Sequence, residues 1–311
     1  MVLRLSRFTS SSTSSSSSGA SFLRSFLRSF IAVALIASFA GEVLANPRPG
    51  PVPASDLASA EELYQRRGEG RETVHQALAA WRKLLKDAKG TDLVHVVHRI
   101  ASLDVFEGEL LLRDDNKSER NPIFGECREV IERIAGVPEA ADVYHYIKIM
   151  CSALWVESAT PLQLIGIGSY FKQYFNTFVT SDMNLRPDLD ADPRMQGGGI
   201  YRTIAGIAAD PMSNMVHPAL PSVDKAIELI DLAIASPNYP GEEYSGAEMY
   251  SNYRGKAEIL IRAGRRAEAR ALLEQSIAEI EELAADGELP PCIEPETLAE
   301  VGKMRETLGR L

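Results

Sequence analysis

Nearly every stretch after Ser55 repeats its apolar residues at a helical period, and the stretches come in short-linked pairs. Val223, Ala226, Ile227, Ile230 and Ile234 fall at i, i+3, i+4, i+7 and i+11, while Asp224, Lys225, Glu228 and Asp231 face away. Leu272, Leu273, Ile277, Ile280 and Leu283 repeat the pattern further on. No segment alternates convincingly with period two and no Asn-Gly turn joins two apolar runs, so a sheet has no candidate strands. The pairs read as 55–67 with 71–88, 92–113 with 122–135, 139–157 with 161–179, 199–209 with 221–235, and 246–263 with 265–285. A helix at 295–310 closes the series. Pro122 reads as a helix opener, and Gly68, Gly136 and Gly264 mark breaks. Links this short place successive helices antiparallel and adjacent. A lone two-helix unit cannot cover its own apolar face, so neighbouring units must shield one another. The expected fold is all-α, a helical-hairpin solenoid of about ten or eleven helices.

The first 45 residues are of another kind. Arg4, Arg7, Arg24 and Arg28 surround a serine tract, and an uncharged apolar run follows at 30–39. Val43, Leu44 and Ala45 then form a small-residue cleavage site, which completes a secretory signal peptide cut after Ala45. An apolar run of about ten residues is too short to span ~30 Å of hydrocarbon, so no stable membrane span is expected. An Arg- and Ser-rich, acid-poor leader also fits organelle targeting, which stands as the alternative to a periplasmic or secreted destination. Residues 46–54 hold four prolines and read as an extended linker before the helical body at 55–311.

Charge narrows the partners. The formal net charge is −10, and losing four arginines and one glutamate with the leader takes it to −13. A nucleic-acid backbone would be repelled rather than drawn in. Three cysteines exclude a disulfide-dense scaffold. Cys127 and Cys151 stand equidistant from residue 139, so in an antiparallel hairpin they can face one another as a disulfide. That leaves Cys292 free or buried.

The best site candidate is Gly197-Gly198-Gly199 with Arg202. Glycines admit a close ligand, successive N–H groups at a helix start can cradle an anion, and arginine pairs a carboxylate bidentately. The plainer reading gives the glycines to a tight turn and pairs Arg202 with Asp190 or Asp192. Asp188, Asp190 and Asp192 alternate as in a calcium loop, but the sixth and twelfth positions are Pro193 and Gly199, so that chemistry fails. His95 and His98, a turn apart and near Asp92, lack further ligands, so no metal is expected. Tyr144, Trp155, Tyr170, Phe171, Tyr174, Phe175 and Phe178 read as core, or alternatively as the wall of an apolar cavity. Gly166-Ile167-Gly168-Ser169 lacks the rest of a phosphate loop. With no nucleophile elbow, Walker loop, zinc-protease helix or paired catalytic carboxylates, a non-enzymatic protein without cofactor is expected.

Two resemblances sharpen this. Tyr253, Ala257 and Leu260 on one helix, the Gly264 turn, and Ala269 and Leu273 on the next resemble a tetratricopeptide (TPR) repeat, so the solenoid is expected to be TPR-like. Lys256 departs from the consensus. The run 192–202 before an apolar helix, followed by a Pro-containing loop and the Gly264 hairpin, resembles the T component of TPR-associated TRAP-type transporters. That resemblance implies an exported adaptor that contacts a periplasmic solute-binding protein, holds a small organic ligand, and assembles as a homo-oligomer. The chain lacks the acylatable cysteine common in that family. The competing expectation is a general periplasmic or secreted scaffold that binds peptides or proteins. A helical enzyme working near Arg202 is a third.

Overall fold

The computed structural model describes residues 52–112, 116–160, 163, 172, 175–181, 183–186, 189, 191–210, 217 and 222–311. Within them lie ten α-helices: α1 (Ala54–Gln65), α2 (Arg71–Leu84), α3 (Gly90–Val105), α4 (Lys117–Ile131) and α5 (Ala141–Ser158), then α6 (Met195–Ala209), α7 (Val223–Ile234), α8 (Ser251–Arg262), α9 (Arg266–Asp286) and α10 (Glu294–Gly309). No strand occurs among the described residues, only an isolated antiparallel bridge between Val179 and Leu185. The fold is all-α. All described residues belong to one unit, Gly50–Leu311. The expected leader at 1–45, most of the expected linker and most of the expected helix at 161–179 lie outside the described residues.

The helices follow from the pattern that predicts them. In α2, Val74, Ala77, Leu78, Trp81 and Leu84 share a buried face, leaving Arg71, His75 and Arg82 to the other side. In α7, Ala226, Leu229, Ile230 and Ala233 are buried, and the Ser222 hydroxyl accepts the Lys225 N–H at 3.3 Å as an N-cap. The α8–α9 hairpin buries Ala257, Leu260, Ala269 and Leu273 in one cluster, and Tyr253 packs half-buried against it. Each such apolar side chain contributes about 1.5–3 kcal/mol by leaving water.

Three elements differ from the sequence reading. Pro122 lies inside α4 rather than opening it, because α4 starts at Lys117. The helix expected at 92–113 ends at Val105 and continues as a π-turn, Phe106–Leu111. There Gly108 lies so close to α4 that a Cβ would stand 2.6 Å from the Phe124 ring. Helix α8 begins at Ser251, not near 246, because 242–250 is folded against α6 and α7 instead.

Packing runs along the sequence from α1 to α5 and again from α6 to α10, and α5 rests on α6. α10 also touches the turns at Arg67–Glu69 and Phe106–Leu111. Arg67, 1% exposed, holds this closure by donating to the Glu296 carboxylate at 2.7 and 2.5 Å and to the Cys292 carbonyl at 2.8 Å. Lys303 Nζ donates to the Leu112 carbonyl at 2.8 Å. Between these contacts Arg254 binds Glu300 at 2.6 Å, Glu109 at 3.0 Å and Glu258 at 3.1 Å.

A disulfide joins Cys127 on α4 to Cys151 on α5, with Cα atoms 5.8 Å apart and both side chains fully buried. It closes a loop across a separation of 24 residues, which loop-closure entropy values at about 3 kcal/mol. The Cys127→Ser/Cys151→Ser double variant should lose about that much stability in urea denaturation. A loss under ~1 kcal/mol would mean that the bond constrains little.

Candidate functional site

The glycine turn is built from backbone. Gln196, Gly197 and Gly198 all have left-handed dihedrals, with φ of 53°, 56° and 80°, and the right-handed part of α6 starts at Gly199. Two of the three are glycines because side chains resist this region. Space demands them as well. A Cβ on Gly197 would lie 2.7 Å from Met249 Cβ, one on Gly198 2.6 Å from Ala233 Cα, and one on Gly199 would overlap the Tyr146 ring.

Turned this way, the backbone N–H of Gln196 points at the Glu242 carboxylate, at 2.9 and 3.0 Å to its two oxygens. The Gly197 N–H, the Arg202 guanidinium and the Tyr244 hydroxyl also favour the charged carboxylate. The turn therefore receives an anion, and that anion is the chain's own. Arg202 donates to Asn252 Oδ1 at 2.7 Å and to the Gln196 carbonyl at 3.4 Å. The fully buried Asn252 in turn donates to the carbonyls of Gly197 and Gly246, at 2.9 and 2.8 Å. Of the two acids expected beside Arg202, Asp192 pairs instead with Arg194 at 2.5 Å, and Asp190 lies outside the described residues.

Burial pushes the Glu242 carboxyl up to about 7, against the pull of the N–H groups and Arg202. A carboxyl raised on folding binds its proton more tightly in the folded state, so its contribution is present below the ordinary carboxylate range and is lost as pH rises toward 7. Denaturation midpoints should therefore fall between pH 5 and pH 8, and Glu242→Gln should remove that part of the slope. An unchanged slope would show that Glu242 does not titrate there.

The other sequence candidates are dispersed. His95 approaches Glu61 at 3.8 Å and sits edge-on to Trp81, while burial pushes His98 down to about 3, so it stays neutral. Among the described residues no group of His, Cys, Asp and Glu is arranged to hold a metal. Phe175 and Phe178 are buried in the central core, with Tyr144 packed against it. Tyr170, Phe171, Tyr174, Asp188 and the segment 166–169 lie outside the described residues. No described helix is long and apolar enough to cross a membrane.

A cleft of about 370 Å³ between α2, the end of α3 and α4 was not foreseen. Its apolar lining is Leu78, Pro122 and Ile123, and its charged groups come in spanning pairs. Arg71 binds Glu107 at 2.5 Å and Glu119 at 2.9 Å, and Arg82 binds Glu126 at 2.5 Å. His75 Nε2 lies 2.9 Å from the same Glu107 oxygen. The π-turn carries Glu107, 3% exposed, under these cations. A signal was available in the sequence: among the polar residues that interrupt the apolar stretch 100–112, Asp104 and Glu107 are spaced to share one helix face.

Compared with known proteins, the chain matches no family model, no curated protein and no solved structure.

Proposed function

We propose that the chain is an exported, non-enzymatic adaptor built of TPR-like hairpins, similar in role to the T component of a TRAP-type uptake system. It works by contact with a periplasmic solute-binding protein and by holding a small organic ligand. The observation that carries this reading is the sequence of packed antiparallel hairpins, with α8–α9 placing Ala257 and Ala269 in the same buried cluster as Leu260 and Leu273. Small residues at such a seam let two helices approach closely, as repeat stacking requires. The disulfide fits an oxidising compartment and so supports export. Because the glycine turn already holds Glu242, a ligand must bind elsewhere on the hairpins.

The test is purification of the tagged full chain from its native host, with mass spectrometry of the proteins that accompany it. Stoichiometric recovery of a solute-binding protein is the expected result. A folded chain that retains no such protein, or one found in a reducing compartment, overturns the transport reading.

A further inference from the structure

The α2–α4 cleft contains one acid that the protein leaves without a full partner. Asp104 is 1% exposed, lines the cleft, and its Oδ2 has no hydrogen-bond partner. Oδ1 has only a long contact, 3.4 Å, with Arg82, whose guanidinium is already engaged by Glu126. A buried carboxyl oxygen lacking a donor costs free energy, so a donor of some kind belongs beside it.

Charge selects what can supply that donor. Glu107, Glu119 and Glu126 face Arg71, Arg82 and His75 around the cleft, so Asp104 is the acid in excess of the cation-capable side chains. An anionic ligand would add to this excess, whereas a cationic N–H donor would relieve it. The volume, about 370 Å³, equals roughly a dozen waters at ~30 Å³ each, which suits a molecule of amino-acid or diamine size. Leu78, Pro122 and Ile123 offer a surface for a short methylene chain.

We propose that this cleft is a binding site for a small organic cation whose ammonium or guanidinium group donates to Asp104 and whose aliphatic part lies on Leu78, Pro122 and Ile123. The site is independent of the transport reading, because it requires neither a partner protein nor export.

Isothermal titration of the purified full chain with arginine and with putrescine tests it, with choline as a cation lacking N–H donors and succinate as an anion. Saturable one-to-one binding of arginine or putrescine is expected, with choline and succinate at least tenfold weaker. Asp104→Asn should weaken that binding at least tenfold. Ser118→Trp, an exposed rim position, should block it without touching Asp104. The second variant decides the matter if the first fails to fold. No saturable heat from either N–H cation, equal binding of choline, or binding unaffected by both folded variants overturns the proposal and leaves the cleft to water.

Discussion

Gly198→Ala should destabilise the protein by about 3 kcal/mol, while Gly206→Ala, eight residues further along the same helix, should stabilise it by up to ~1 kcal/mol. The contrast follows from two backbone environments. Gly198 has φ 80°, where an alanine is strained by about 1–2 kcal/mol, and its new methyl would stand 2.6 and 2.7 Å from the Ala233 Cα and carbonyl oxygen. Backbone atoms of α7 cannot swing aside as a side-chain end can, so overpacking adds a further ~1–3 kcal/mol. Gly206 is exposed in the right-handed part of α6 and a Cβ there meets nothing within 4 Å, so alanine simply restrains the unfolded chain. Urea midpoints for the two variants provide the comparison. Similar, small changes in both would refute the close approach of α6 to α7.

Arg254→Ala should cost about 3–5 kcal/mol, the usual penalty for breaking a buried ion pair from one side. Its guanidinium binds Glu109 near the end of the π-turn, Glu258 one turn along α8 and Glu300 on α10. Glu300 is the sensitive partner: it is 4% exposed, and burial already raises its carboxyl while Arg254 opposes the rise. Without Arg254 the carboxylate has no cation to offset its desolvation. The penalty should therefore be largest above neutrality and shrink at pH 5, where Glu300 can take up a proton. Adding Glu300→Leu to Arg254→Met should recover part of the loss, because an apolar pair requires no charge desolvation. Denaturation at pH 5 and pH 8 reads both effects. A loss below ~1 kcal/mol at both pH values would mean that water screens the cluster.

The helices were legible because local spacing determines them. The α7 and α9 stripes, the Gly264 turn and the absence of period-two alternation are all readable within a dozen residues. Pro122 misled because proline favours a first turn, yet α4 tolerates it near the exposed Ser118 carbonyl end of its opening turns. The glycine turn was conspicuous in sequence, but its occupant was not. Glu242 and Asn252 come from a loop and helix start 46 and 55 residues further along, and no periodicity links them to Gln196 or Gly197. The α2–α4 cleft was hidden for the same reason. Spacing pairs Asp104 with Glu107, but nothing local shows that Arg71 and Arg82 of α2 or Glu119 and Glu126 of α4 meet them there.

The clasp of α10 onto the Arg67 turn changes how the molecule should come apart. Open repeat arrays can fray from a free end, each unit melting nearly alone. Here the final helix is pinned to the first hairpin through Arg67 and Glu296, and through Lys303 to Leu112, the residue that ends the π-turn. Unzipping from the tail would thus loosen the opening hairpin at the same moment, so heat should meet one cooperative body instead of a row of separable segments.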